Sequence, residues 1–262
     1  MTVSILGCGW YGFAFGKSLV NKWIKVKGST TTPGKLSLLA DNGIAPYLID
    51  LSPDKEILDT DFFVCDVLWI SIPPKARAGQ GAEYIEKLQR VIPLIQAYNI
   101  KQVVLISSTG VYGDNNMEVT ESAMPNPDSD SGKILLAAEN LLKDQTAFTT
   151  TIIRFGGLIG PGRDPGRFFA GKKGVPNGDA PVNLIHLTDC IGLSNTVLDK
   201  QALGHTYNAV SPSHPTRSAF YTQAAIAAGL EEPEFIEEKA TWKVVSSENV
   251  AKVLDYHFHV LI

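Results

Sequence analysis

The chain has 262 residues, 44% hydrophobic and 19% charged, which suits one large globular domain or a domain with a small lobe. A formal net charge of −4 without a long basic run argues against nucleic acid or a membrane surface as partner, and no apolar run approaches spanning length. The three cysteines, Cys8, Cys65 and Cys190, lack ligand or disulfide spacing, so no metal site is expected. With no signal-peptide pattern either, a cytoplasmic protein is expected.

An apolar run at residues 3–6 reads as a buried strand, and a helix-compatible stretch at 13–20 follows it. Between them stands Gly7-Cys8-Gly9-Trp10-Tyr11-Gly12. In the order strand, G-x-G-x-x-G, helix, each glycine has a physical task. Gly7 permits the tight turn, Gly9 admits a pyrophosphate to the backbone, and Gly12 lets helix and strand pack closely. The helix N-terminus adds free N–H groups and a positive dipole. Cys8 reads as a small side chain beside the turn.

Residues 23–27 alternate and predict a second strand ending at Gly28, and a helix is predicted over 33–41 with Thr32 as N-cap and Pro33 in its first turn. The end of the second strand is where such a fold meets the adenosine ribose. There an acidic residue would hold the 2′-hydroxyl and repel a 2′-phosphate. No acid lies between Gly12 and Asp41. Ser29, Thr30, Thr31 and then Lys35 favour NADP, with NAD admitted.

Strands are expected over 47–51, 67–72 and 103–107, the fourth halted by Pro73-Pro74 at the carboxyl edge of the sheet. A helix over 82–98 should kink or break at Pro93. Strands alternating with helices predict an α/β fold, a doubly wound parallel sheet. Residues 160–181 read as a loop-rich excursion. Helices are expected over 218–229 and 247–254, with a short strand at 233–236.

Ser107-Ser108-Thr109-Gly110-Val111-Tyr112-Gly113, together with the glycine loop, resembles the short-chain dehydrogenase/reductase superfamily, in its extended epimerase/dehydratase branch. Arg154-Phe155-Gly156, Gly160-Pro161-Gly162-Arg163, the 183–189 block and Tyr207-Asn208-Ala209-Val210 continue the resemblance. It implies a Rossmann-type dinucleotide-binding domain over 1–160 and 183–212 and a small α+β substrate lobe over 161–182 and 213–262. The implied cofactor set is Gly7, Gly9, Trp10, Tyr11, Gly12, Ser29, Thr30, Thr31, Lys35, Pro73, Ser107 and Phe155. Thr109, Asn183 and Arg163 are implied substrate contacts, and Ser108 would orient the reacting hydroxyl or carbonyl. Arg163, Arg167, Lys172 and Lys173 form a basic cluster that reads as a solvated loop or, in a nucleotide-sugar enzyme, as a grip for a diphosphate. A small-molecule substrate such as a nucleotide sugar, and a homodimer, are the partners the resemblance allows.

The pattern departs where the proton should move. The family's Y-G-x-x-K-x-x-x-E block aligns with residues 131–139, placing Ser131 at the tyrosine and Leu135 at the lysine. A serine hydroxyl is too weak an acid to replace a phenol unaided, and leucine supplies no charge. Tyr112 and Lys133 are the substitutes to weigh, Tyr112 against packing beneath the loop and Lys133 against a solvated charge or a cofactor-phosphate contact, giving an atypical member with a non-standard acid/base group. The alternative is a catalytically silent NADP-binding sensor or regulator. His186 and Asp189 read as structural hydrogen-bonding groups.

Overall fold

A computed structural model describes residues 1–52, 55–74 and 81–262. In chain order the elements are β1 (Thr2–Leu6), α1 (Trp10–Asn21), β2 (Lys25–Thr30), α2 (Leu36–Asp41), β3 (Ala45–Leu48), β4 (Asp50–Ser52), β5 (Lys55–Ile57) and β6 (Val67–Ile70). Next come α3 (Gly81–Ala97), β7 (Gln102–Ser108), β8 (Met117–Val119), α4 (Asp130–Lys143), β9 (Thr149–Phe155), β10 (Gly157–Ile159) and α5 (Gly166–Phe169). The chain closes with β11 (Leu184–His186), α6 (Leu187–Asp199), β12 (Thr206–Ala209), α7 (Arg217–Ala227), β13 (Lys243–Val245) and α8 (Glu248–Leu254).

Seven strands form one sheet in the order β12-β9-β7-β6-β1-β2-β3, every neighbouring pair parallel. The chain winds outward from β1 to β3, then crosses to β6 and winds the other way. The order therefore reverses between β1 and β6, and a crevice opens beyond their carboxyl ends. This is the doubly wound Rossmann-type sheet the sequence predicts.

The central strand β6, Val67–Ile70, reads as a continuous apolar run because helices cover both faces. Side chains alternate: Leu68, Ile70, Val103, Leu105 and Ile152 pack under α3 and α4, with Leu88, Val91, Ile95, Ala138 and Leu142. Val3, Ile5, Trp69, Val104 and Ile153 face the other way, toward Phe15, Leu19, Leu193, Val197, Val250 and Leu254 of α1, α6 and α8. A smaller core of Ile159, Val182, Leu184 and Tyr221 holds the excursion after β9 against α7.

Several predicted bounds move for local reasons. The second strand starts at Lys25 and runs through Ser29 and Thr30, because Trp23 closes α1 in the left-handed region (φ 61) and is 96% exposed. Residues 47–51 divide between β3 and a hairpin of β4 with β5. Helix α3 runs unbroken past Pro93, which lies exposed on its solvent face, where the carbonyl it leaves unpaired can meet water. Thr32 makes no side-chain cap, and a 3₁₀ turn at Pro33–Lys35 precedes α2. The expected strand at 233–236 reduces to one bridge, Phe235 with Val175.

Candidate functional site

The glycine loop lies at the reversal point between β1 and β6. Gly7 has φ +103, and a Cβ there would fall 2.9 Å from Ile72 Cγ2. A Cβ on Gly12 would fall 2.4 Å from the Gly7 carbonyl oxygen, so α1 can approach β1 only without one. Gly9 differs: a Cβ there would meet nothing within 4 Å. Gly7 and Gly12 are therefore demanded by the protein's own packing, whereas the space before Gly9 is left for something else.

That space is a cleft of about 200 Å³ lined by Gly7, Cys8, Gly9, Ser29, Thr30, Thr31, Thr32, Lys35, Pro73 and Pro74, with Ile49, Asp50, Leu51, Tyr84 and Lys87 opposite. The buried Ser29 hydroxyl accepts from the Gly7 N–H at 2.9 Å, and the Cys8 N–H donates to the Ser29 carbonyl at 2.8 Å. The end of β2 thus holds the glycine loop in shape. Thr30 Oγ1 accepts from the Thr32 N–H at 3.1 Å, and Thr31 and Lys35 are exposed at the rim. Burial pushes the Cys8 thiol up to about 12, which leaves it inert beside the turn.

Donors at a helix N-terminus, an empty approach over Gly9 and a rim of hydroxyls with a lysine fit a dinucleotide phosphate chain. Asp50, Tyr84 and Lys87 were missed at the sequence level. Asp50 follows β3, outside the segment where an acid was sought, and Lys87 and Tyr84 belong to the helix after the Pro73-Pro74 turn.

Other expected cofactor residues lie elsewhere. Tyr11 points into the core, its ring against Phe155 at 4.9 Å and its hydroxyl 2.6 Å from Ser194 Oγ. Phe155, 2% exposed, is a packing partner of Tyr11. Only the Tyr11 backbone can face a ligand. Trp10 donates from its indole to the Pro161 carbonyl at 2.6 Å, and the Arg163 guanidinium sits 4.5 Å from its ring centroid. Trp10 and Arg163 tie the glycine loop to the excursion after β10.

Ser107 is not at the cleft. Its hydroxyl donates to Glu139 Oε1 at 2.6 Å, inside a buried network. Arg154 donates to both Glu139 oxygens, at 3.0 and 2.5 Å, and to the Tyr112 hydroxyl at 2.6 Å. That hydroxyl also lies 3.0 Å from the Thr120 carbonyl and from Asn208 Oδ1, either of which can accept its hydrogen bond. Tyr112 is 1% exposed, and burial raises its phenol above the ordinary value. It packs beneath the turn and cannot trade protons with a ligand. Lys133 lies on the solvent side of α4, 3.4 Å from Asp130. Its charge pairs on the surface and does not enter a cleft. Leu135 fills the core at 6% exposed, so no cation replaces the missing lysine at that position.

A second pocket, about 310 Å³, opens between the turn after β7 and the lobe. Thr109, Gly110, Asp114, Asn183, Arg217, Tyr221, Trp242 and Lys243 line it, with Phe169. Ser108, just before Thr109, accepts from the Gly110 N–H at 3.1 Å and caps the 3₁₀ turn Thr109–Val111. Asn183 reaches the pocket wall with its amide already engaged: Nδ2 donates to the Lys243 carbonyl at 2.9 Å and Oδ1 accepts from the Val245 N–H at 2.8 Å. It clamps β13 and keeps one N–H and one carbonyl lone pair for another partner.

Lys243 is the residue the sequence did not announce. Nζ donates to the Tyr112 carbonyl at 2.6 Å and pairs with Asp114 at 2.8 Å, with the side chain 13% exposed. At the start of α6, His186 Nδ1 accepts from the Thr188 N–H at 3.2 Å, and Asp189 accepts from Tyr256, His259 and Val260. In the basic cluster, Lys173 is paired with Glu231 and Glu234. Among the described residues no group of three or more His, Cys, Asp or Glu could hold a metal, and no helix is long and apolar enough to cross a membrane.

No family model matches the chain. The fold is shared with UDP-glucuronic acid 4-epimerase from Bacillus cereus in complex with NAD, at TM-score 0.80 and 18% identity, covering 99% of this chain and 94% of that one. It is shared equally with a short-chain dehydrogenase/reductase superfamily protein from Agrobacterium tumefaciens with bound NAD, at TM-score 0.78 and 18% identity over 99% and 93%. Protein YeeZ of Escherichia coli K12 is 36% identical over 263 residues, 98% of this chain and 95% of that protein. At that identity over nearly the whole of both proteins, the chain belongs to the YeeZ family, built on the short-chain dehydrogenase/reductase fold.

Proposed function

We propose that the protein binds a nicotinamide dinucleotide, NADP in preference to NAD, and catalyses an oxidoreductase step of the epimerase/dehydratase kind on a sugar-like or nucleotide-sugar substrate. The observation that carries the cofactor is Gly9: the backbone beside a helix N-terminus is bare, and the protein itself has no use for the space. Thr30, Thr31, Thr32 and Lys35 at the cleft rim support NADP, since hydroxyls and an ammonium suit a 2′-phosphate. The structural neighbours named above carry NAD, which supports the broader class of cofactor.

The second pocket supports the substrate class. Arg217 offers a planar charged fork suited to phosphate or carboxylate, and Phe169, Tyr221 and Trp242 offer ring surface for a sugar or base. Ser108 would orient the reacting oxygen. The test is to add NADPH with a panel of nucleotide sugars and small carbonyls and follow the loss of its absorbance. Net oxidation is expected with the carbonyls, and with a nucleotide sugar the oxidised cofactor should take up and return a hydride as the sugar is converted, with NADPH bound more tightly than NADH. Tight NADPH binding without turnover on any compound would favour the silent sensor, for which the buried Leu135 at the lysine position speaks. Tighter NADH binding would overturn the reading of residues 29–35.

A further inference from the structure

Resting on that reading of the pocket, we propose that Lys243 is the proton donor to the substrate carbonyl, taking over from the Tyr/Lys pair that α4 lacks. Three observations carry it. Lys243 lines the pocket together with Thr109 and Gly110, the residues that directly follow Ser108. Its Nζ is fixed: the Tyr112 carbonyl accepts at 2.6 Å and Asp114 Oδ1 pairs at 2.8 Å, which engages two of its three N–H groups and leaves the third for a ligand. The strand that carries it is fixed as well, because Asn183 bonds the backbone on both sides, at Lys243 and at Val245, and β13 pairs in parallel with β8. A donor held this firmly needs little reorganisation when charge develops on an oxygen before it.

When bound, the reduced nicotinamide supplies the hydride that completes the new C–H bond and the two electrons that reduce the carbonyl. Lys243 does the rest. As the C=O π bond breaks, the carbonyl oxygen takes a proton from the Lys243 ammonium, an O–H bond forms and an N–H bond breaks. The neutral amine then regains a proton from water, because the pocket is open at its mouth. Asp114 and Asn183 act as positioning residues, the first through the ammonium and the second through the backbone.

The rival account makes Lys243 a pin that merely holds the turn at Tyr112 and Asp114 to β13. Two variants separate the accounts, with 4-nitrobenzaldehyde as the carbonyl probe and NADPH as the reductant. Lys243→Ala is expected to lower kcat about 100-fold, within the range for loss of a general acid, with Kd for NADPH changed less than twofold. Added ethylamine should restore at least tenfold of that loss, in proportion to the ethylammonium present. Lys243→Arg keeps a cation able to bond Tyr112 and Asp114 and should keep the wild-type melting temperature. It should be as slow as the alanine variant, because a guanidinium does not release its proton. An arginine variant at near wild-type rate, or an alanine variant that is unaffected or fails to respond to ethylamine, would overturn the proposal and leave the pocket's function standing. A wild-type protein that binds the cofactor and neither reduces the aldehyde with NADPH nor converts any nucleotide sugar with NADP would overturn both.

Discussion

At the scale of the residue, three glycines of one motif answer to different forces. Gly7→Ala would force a side chain into the left-handed region and against Ile72, and Gly12→Ala would drive a methyl into the Gly7 carbonyl, so each should cost about 1–3 kcal/mol of stability in thermal unfolding. Gly9→Ala should leave the melting temperature within about a degree of the wild type, since φ −78 suits alanine and its methyl meets open space. The motif pattern displays all three alike; only the surroundings tell them apart. Glu121 supplies a second residue-scale test. Burial raises its carboxyl above the ordinary carboxylate value despite N–H donors at Asn208 and Asn249, and its Oε2 has no partner among the described residues. A raised folded value means that the native state holds the proton more tightly than the unfolded chain. This contribution to stability is full below the unfolded glutamate pKa and is lost as pH rises through the folded value. Glu121→Gln should therefore be more stable than the wild type at pH 7, and the gap in melting temperature should narrow as the pH falls toward 5. A gap that widens on acidification would refute this account of the carboxyl.

At the scale of the element, α4 shows how the chain packs the segment that carries Ser131 and Leu135. Its first turn presses on the turn after β7 so closely that a Cβ on Gly132 would fall 2.2 Å from the Gly110 carbonyl oxygen. Leu135 and Leu142 join the core, and Glu139 anchors Ser107 and Arg154, which in turn donates to Tyr112. Arg154 and Glu139 are both almost wholly buried, so removing one partner strands the other's charge. Arg154→Met should cost about 3–5 kcal/mol in denaturant unfolding, while Glu139→Met/Arg154→Met should cost less than the sum of the two single changes. A merely additive double variant would contradict a coupled pair. The glycine loop, the hydroxyls of β2 and the substitutions at Ser131 and Leu135 were legible in the sequence because their meaning is local to a motif. For Tyr112 the sequence left packing and pocket both open, since the phenol's burial depends on Arg154 and Asn208, far along the chain. Lys243 was illegible for a related reason. It stands on a three-residue strand, too short to show periodicity, and reaches the site only through pairing with Met117–Val119 and the amide of Asn183.

At the scale of the whole molecule, the sheet order decides where chemistry can happen. Reversal between β1 and β6 opens the cleft over Gly9, and the continued winding through β7 brings Ser108 and the turn after it to the same carboxyl edge. The excursion after β10 and the segment from α7 to β13 then wall off a second pocket beyond that turn. Alternation of strands and helices sufficed to predict the class of this architecture from five of the seven parallel strands, while β9 and β12 were not read as strands. The lobe was read less well: its contacts run through irregular backbone, such as the ladder of Val175 with Glu234 and Ile236, which leaves little trace in a pattern of apolar residues. The central claim is that the space before Gly9 exists for the phosphates of NADP. Calorimetric titration of the wild type and of Gly9→Ala with NADPH and NADH tests it most directly. The account predicts tighter binding of NADPH than of NADH by the wild type, and at least a tenfold weaker Kd for NADPH in a Gly9→Ala protein that melts at the wild-type temperature. Equal NADPH affinity in the two proteins, or no binding of either dinucleotide by the wild type, would contradict it.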